Sequence, residues 1–131
     1  SSGGSATDTT INSGGSQYVS SGGSATNITN DGGYLSINGN VTDITVNGGN
    51  NMFNDGSATN VTINGGNNNM YGGSATSVTI NSASLNMVGG SVTSTTINSG
   101  GLSLHNGASA TSTTINSGNQ YVYSGGSATN T

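Results

Sequence analysis

The sequence predicts an all-β fold in which one chain coils into a parallel β-solenoid, that is, a single-stranded parallel β-helix. Three observations predict it: a Ser-(Ala/Val)-Thr segment recurs along the chain, a β-branched segment follows it, and Gly-containing turns separate the segments. The copies are spaced by 19, 16, 17, 17, 17, 18 and 18 residues, counted between Ala6, Ala25, Val41, Ala58, Ala75, Val92, Ala110 and Ala128. Such self-similarity indicates a repeat architecture of about seven rungs, each rung being one turn of the coil.

The first segment of each repeat is predicted to be a strand, because β-branched residues suit a pleated backbone better than a helix. In residues 59–63 (TNVTI), alternation places Thr59, Val61 and Ile63 on one face and Asn60 and Thr62 on the other. Stacking the repeats then predicts an interior column of Ile11, Val46, Ile63, Ile80, Ile97 and Ile115.

The second segment is a shorter predicted strand, as in residues 85–87 (LNM), whose first and third residues face the same way. Its last residue lies one rung above the equivalent residue of the preceding repeat, about 4.8 Å away. This predicts a second interior column of Val19, Ile37, Met52, Met70, Met87, Leu104 and Val122.

Turns separate the segments, and Gly supplies the positive φ that such turns need. An Asn column follows the Ile column and is predicted to join its amides by hydrogen bonds along the stack: Asn12, Asn47, Asn64, Asn81, Asn98 and Asn116. The second repeat departs from the pattern, because Asn30 stands where Ile is expected and one residue is missing.

Composition excludes several classes of function. The chain has no Lys or Arg and four Asp, so we expect no nucleic-acid binding, which needs cations to neutralise phosphates. No apolar run is long enough to span a bilayer. Without Cys, and with His105 as the sole His, we expect no metal site and no cofactor. Asp8 and Asp43 occupy equivalent outward positions two rungs apart, but no cleft is expected between them, so we predict that the chain is not an enzyme.

The motifs themselves resemble a known family. Residues 3–23 (GGSATDTTINSGGSQYVSSGG) and 109–131 (SATSTTINSGNQYVYSGGSATNT) are similar to the repeats of AIDA-type autotransporter adhesins, including TibA-like passengers, and weaker copies fill the middle. The resemblance implies a right-handed β-helical passenger at the bacterial cell surface, exported through an outer-membrane barrel. It also implies adhesion to host or sister cells, autoaggregation and biofilm formation. Because the chain begins and ends within a repeat, we expect residues 1–131 to be an uncapped segment of such a passenger.

The same resemblance implies O-heptosylation of Ser by a dedicated cytoplasmic heptosyltransferase. The candidate acceptors are the Ser residues directly before Gly: Ser2, Ser13, Ser21, Ser99, Ser117 and Ser124. Ser-Gly is also an ordinary turn dipeptide, which is the alternative interpretation. In the middle of the chain Gly48 and Gly65 follow Asn directly, so modification is expected to be sparse there.

An outward apolar stripe is predicted just after the second interior column. Its members are Phe53, Tyr71, Val88, His105 and Tyr123. Contiguous exposed apolar surface marks many interfaces, which favours a lateral self-association surface. The alternative is that these rings fold over the turn and cover the core.

Two other functions remain open. One is an ice-binding solenoid, because Thr62, Thr79, Thr96 and Thr114 form an outward Thr column. The companion column expected from alternation is Asn60, Ser77, Ser94 and Ser112, so no regular double Thr array is predicted. The other is a structural matrix or fibre protein.

Overall fold

The computed structural model describes residues 3–131, and within that range every regular element is a β-strand. The strands are β1 (Ser5–Ile11), β2 (Ser16–Val19), β3 (Ser24–Ile37), β4 (Asn40–Phe53), β5 (Ser57–Ile63), β6 (Asn67–Met70), β7 (Ser74–Ile80), β8 (Ala83–Met87), β9 (Ser91–Ile97), β10 (Gly100–Leu104), β11 (Ser109–Ile115), β12 (Asn119–Val122) and β13 (Ser127–Thr129).

All pairings between these strands are parallel, and each joins one rung to the next. Ala6 pairs with Ala25, Val41 with Ala58, and Ala110 with Ala128, as the repeat spacing predicts. The predicted parallel solenoid of about seven rungs is therefore confirmed.

A corner divides the long strand of each rung. In β5 Ala58 is buried, Thr59 and Asn60 are both exposed, and Val61 and Ile63 are buried. Asn60 has a φ of 56°, and the equivalent residue of every rung is also left-handed: Asp8, Asn27, Asp43, Ser77, Ser94, Ser112 and Asn130. Asn and Asp tolerate this conformation better than most residues. We call this position the αL corner.

The αL corner corrects the predicted alternation. Thr59 was expected to face the same way as Val61 and Ile63, but it points outward and Ala58 points inward. A single left-handed residue shifts the alternation by one position, because the side chains on its two sides are no longer related by the pleat. Each rung therefore has three sides, which in the fourth rung are residues 57–59 (first side), 61–63 (second side) and 67–70 (third side).

The second side confirms the predicted Ile column. Ile11, Val46, Ile63, Ile80 and Ile97 are all buried. Ile115 lies in register above Ile97 but is 37% exposed, because no later residue pairs above it.

The third side requires one correction. Phe53, not Met52, belongs to the interior column, because Phe53 pairs with Ile37 below and Met70 above and is 5% exposed. Met52 pairs with Ser36 and Asn69 and is half-buried. The rest of the predicted column is in register and buried, except that Val122 in the last pairing is 49% exposed.

The outer Asn column is hydrogen-bonded as predicted from Asn47 to Asn116, whereas, in the described part of the chain, the Asn12 side chain has no hydrogen bond to the next rung. Each amide Nδ2 donates to the Oδ1 of the rung before it, at 2.7–2.9 Å, in Asn64, Asn81, Asn98 and Asn116. Asn47 donates at 2.7 Å to the carboxylate of Asp31, which takes the equivalent place in the second rung.

A second amide chain crosses the interior. Asn30 lies in the Ile column, fully buried, and its Nδ2 donates at 2.7 Å to Asn51 Oδ1 on the third side. Asn51 Nδ2 donates at 3.1 Å to Asn68 Oδ1, and Asn68 Nδ2 donates to the carbonyls of Gly65, Gly66 and Ser84. Asn30 Oδ1 accepts from the amides of Gly32 and Gly33 in the shortened rung. The unusual Asn at this position thus replaces apolar packing with satisfied hydrogen bonds.

The losses of stability caused by replacing Asn51 and Asn68 with Leu should not be additive. Both lie in a column with Leu35, Leu85 and Leu102, so Leu fits there. Asn51→Leu removes both the donor to the buried Asn68 Oδ1 and the acceptor for Asn30 Nδ2, and we expect it to lower the free energy of unfolding by about 1–3 kcal/mol. In the double variant Asn68 Oδ1 is removed as well, and Asn30 Nδ2 keeps its bond to the Gly33 carbonyl, so the loss of stability should be smaller than the sum of the two single losses. Urea unfolding of the two singles and the double measures this coupling; additive effects would contradict the chain of amides.

Candidate functional site

The Ser residues that precede Gly lie on two edges of the solenoid. Ser13, Ser99 and Ser117 are in the turn between the second and third sides, and Ser21 and Ser124 are in the turn that follows the third side. All five are exposed, and Ser2 lies outside the described residues.

The Gly after each of these Ser has a positive φ: 84° at Gly14, 79° at Gly22, 113° at Gly100, 119° at Gly118 and 80° at Gly125. The Ser side chain therefore sits at the apex of a tight turn with no side chain following it. In the middle rungs the turn between the second and third sides contains Gly48, Gly65 or the pair Ser82-Ala83 in place of Ser-Gly. The Ser-Gly sites therefore cluster toward the two ends of the described rod.

The outward stripe differs from its prediction in one member. Phe53 is buried and does not belong to it; the residue of its rung that follows the interior column is Asn54. Asn54 donates through its backbone to Ile37, as Tyr71 does to Phe53 and Val88 to Met70. Met52 shares its residue type with Met70, but its position in the repeat is that of Asn69. Both Phe53 and Met70 lie six residues after an Asn of the outer ladder, Asn47 and Asn64.

The remaining stripe is Tyr71, Val88, His105 and Tyr123, in four successive rungs. Tyr71 is 48% and Tyr123 49% exposed, whereas Val88 and His105 are half-buried. The imidazole of His105 stacks on the ring of Tyr123, with centroids 4.2 Å apart and planes 5° apart. The ring centroid of Tyr121, on the third side, lies 6.2 Å from that of Tyr123, so Tyr121 extends the aromatic surface. These rings lie on the outside of the turn, so the surface that the sequence predicts for self-association is accessible there.

The carboxylates at the αL corner have amide partners. Asp8 Oδ1 accepts from Asn27 Nδ2 at 2.8 Å, and Asp43 Oδ1 accepts from Asn60 Nδ2 at 2.9 Å. Both Asp are exposed. Within residues 3–131 no group of three or more His, Cys, Asp or Glu is arranged to hold a metal ion, and no helix is long and apolar enough to cross a membrane.

Sequence reasoning missed a paired array of hydroxyls. Alternation pairs the Thr62 column with Asn60, but Asn60 is the αL corner itself. Outward Ser and Thr instead alternate around a buried Ala or Val on the first side, as in Ser57-Ala58-Thr59. The signal was present in the sequence: a Ser-(Ala/Val)-Thr unit can point both hydroxyls outward only if its middle residue points inward.

Phe53 and Tyr71 should respond oppositely to substitution by Ser. Phe53→Ser removes a buried ring, and we expect it to lower the free energy of unfolding by about 3–5 kcal/mol. Tyr71→Ser changes an exposed side chain and should alter stability by no more than about 0.5 kcal/mol. Chemical denaturation followed by circular dichroism measures both. Equal losses would mean that the two rings share one environment, contrary to their burial.

No family model, curated protein or solved structure matches the chain.

Proposed function

We propose that the chain is part of the shaft of a bacterial autotransporter adhesin that mediates adhesion and autoaggregation at the cell surface. In this proposal its Ser-Gly turns accept heptosyl groups from a dedicated cytoplasmic heptosyltransferase. The partners are the surfaces of host or sister cells and further copies of the same chain. The similarity of residues 3–23 and 109–131 to AIDA-type repeats supports the proposal.

The architecture suits such a role. A coil that advances about 4.8 Å per rung gives a stiff rod whose length grows in proportion to the number of repeats. The outer ladder ties the second to the seventh rung, and the inner amide chain joins the second, third and fourth rungs. A rod of this kind can hold outward groups at fixed intervals along a cell surface.

The exposure of the Ser-Gly turns is the observation that carries the proposal. An acceptor hydroxyl must reach into the cleft of a transferase, and Ser13, Ser21, Ser99, Ser117 and Ser124 all lie at exposed turns. The positive-φ Gly that follows each one leaves its approach clear. The apolar stripe offers a separate surface through which neighbouring rods can associate.

Glycosylation can be tested by intact mass. The chain co-produced with an autotransporter heptosyltransferase should gain mass in whole heptose steps. Changing Ser13, Ser21, Ser99, Ser117 and Ser124 to Ala should remove most of the added mass, because their hydroxyls would be the acceptors. A matched variant changes five exposed Ser that do not precede Gly and should keep the added mass: Ser5, Ser24, Ser74, Ser84 and Ser127. Equal masses with and without the transferase would refute the modification.

Self-association can be tested on the stripe. Replacing Tyr71 and Tyr123 with Ser should reduce the sedimentation of cells that display the chain, because it removes the two most exposed rings of the stripe. The control is Tyr18→Ser, since Tyr18 is 66% exposed but lies on the third side, outside the stripe. Unchanged settling of the Tyr71/Tyr123 variant, with the fold intact by circular dichroism, would rule out the stripe as the interface.

A further inference from the structure

The first side of the solenoid carries two unbroken outward columns, which we call the Ser/Thr face. The first column is Ser5, Ser24, Asn40, Ser57, Ser74, Ser91, Ser109 and Ser127, and the second is Thr7, Thr26, Thr42, Thr59, Thr76, Thr93, Thr111 and Thr129. Every Thr of the second column is exposed, and the first column is exposed or half-buried. Asn40 is the one position of the array without a hydroxyl.

The columns form a regular two-dimensional lattice. Adjacent rungs are about 4.8 Å apart, and outward residues two apart along a strand are separated by about 6.6–6.8 Å. The residue between them is Ala or Val and is buried from the second to the seventh rung, so both of its neighbours project from the same plane. The register shifts that interrupt the β3–β4 pairing lie at residues 30–34, beyond this face. The lattice is therefore continuous over all the rungs of the first side.

The hydroxyls of this face are positioned and available. Thr is β-branched, so its χ1 angle is restricted and its hydroxyl and methyl hold defined positions. Of the side-chain hydrogen bonds formed among residues 3–131, the bond from Ser57 Oγ to Asn40 Oδ1 at 2.8 Å is the one made within the face. None of the Asp residues belongs to either column. The hydrogen-bonding capacity of the face is thus directed at water. The nearest carboxylates, Asp8 and Asp43, lie beside the face at the αL corner, where each accepts a hydrogen bond from an Asn amide.

The other two sides lack such a lattice. The second side has a single outward Thr column, bounded by the αL corner with its Asp–Asn pairs and by the Asn ladder, whose amides bond to each other. The two outward columns of the third side are mixed. One contains Tyr18, Ser36, Met52 and Asn69, and the other contains Tyr34, Asn50, Asn67 and Ser84. Among the sides described, the first alone repeats one pair of hydroxyl groups from rung to rung.

We propose that the Ser/Thr face orders a layer of water and binds ice. Ice differs from liquid water in the long-range order of its molecules, so one hydroxyl cannot distinguish them, whereas a rigid array with two fixed repeats can. The two repeats of this face are of the same order as distances between oxygens in the ice lattice. The activity does not rest on the adhesive role proposed above, since it uses a different side of the coil from the aromatic stripe.

The test compares ice activity in the full chain and in two matched variants. One variant changes Thr59, Thr76 and Thr93 to Tyr, which places bulky rings across the centre of the Ser/Thr face. The other changes Asn69, Asn86 and Ser103 to Tyr in the same three rungs on the third side. That column already holds Tyr18 and Tyr121, so it accommodates the ring. Thermal hysteresis, inhibition of ice recrystallisation and far-UV circular dichroism are measured for all three proteins.

We expect the unmodified chain to show thermal hysteresis and to inhibit recrystallisation. The Thr variant should lose both activities while keeping its β spectrum, and the third-side variant should retain them. Absence of activity in the unmodified chain overturns the proposal. Equal activity in the two variants overturns the assignment to the Ser/Thr face. If the Thr variant fails to fold, the isosteric changes Thr59→Val, Thr76→Val and Thr93→Val serve in its place, and a folded Val variant of full activity likewise overturns it.

Discussion

Parallel stacking in register is the constraint on which the rest of the structure depends. Each residue lies about 4.8 Å from its equivalent in the next rung, so every position is also a column. The backbones approach so closely at the turns that a Cβ on Gly49 would be 2.1 Å from the carbonyl oxygen of Gly33. Small residues recur at the turns for this reason, and Ala recurs on the first side, where Ala58 and Ala75 are buried. The interior columns, the amide ladders and the outward faces all result from the same register, which is repeated from rung to rung.

Repeat arithmetic alone predicts much of this fold. The spacing of Ala6, Ala25 and their successors fixes the pairing of the rungs, and the Ile column and the outer Asn ladder follow because their environment is the same in nearly every rung. The αL corner could not be recognised from residue type, because Asp8, Asn60 and Ser77 share a conformation but not a side chain. The available signal was the pair of polar residues between Ala58 and Val61. Strict alternation puts Ala58 and Val61 on opposite faces of the strand and so cannot bury both of them.

Contacts between different sides of the coil were beyond sequence reasoning. Asn30 is recognisable as an anomaly, but its partner Asn51 comes from another side and another rung, and a repeat alignment compares only equivalent positions. Phe53 was predicted to face outward for a related reason. Met52 shares its residue type with Met70, whereas Phe53 shares with Met70 the spacing of six residues from the preceding ladder Asn. Two interior positions also remain imperfect in the structure: Thr95 and Thr113 occupy a Val and Ile column with buried hydroxyls that have no partner among the described residues. β-Branched shape is kept there at the expense of hydrogen bonding.

The outer Asn ladder has a direction. Asn64, Asn81 and the later amides all present their N–H groups toward the preceding rung and their oxygens toward the next. Successive backbone carbonyls of a strand point alternately toward the preceding and the following rung, so they largely cancel along the axis. The side-chain dipoles of the ladder instead add head to tail, as peptide dipoles do in an α-helix. The electropositive end of the series meets the carboxylate of Asp31, which can accept but cannot donate. One edge of this otherwise sparsely charged rod is therefore electrically polarised along its axis, with an anion seated at its positive pole.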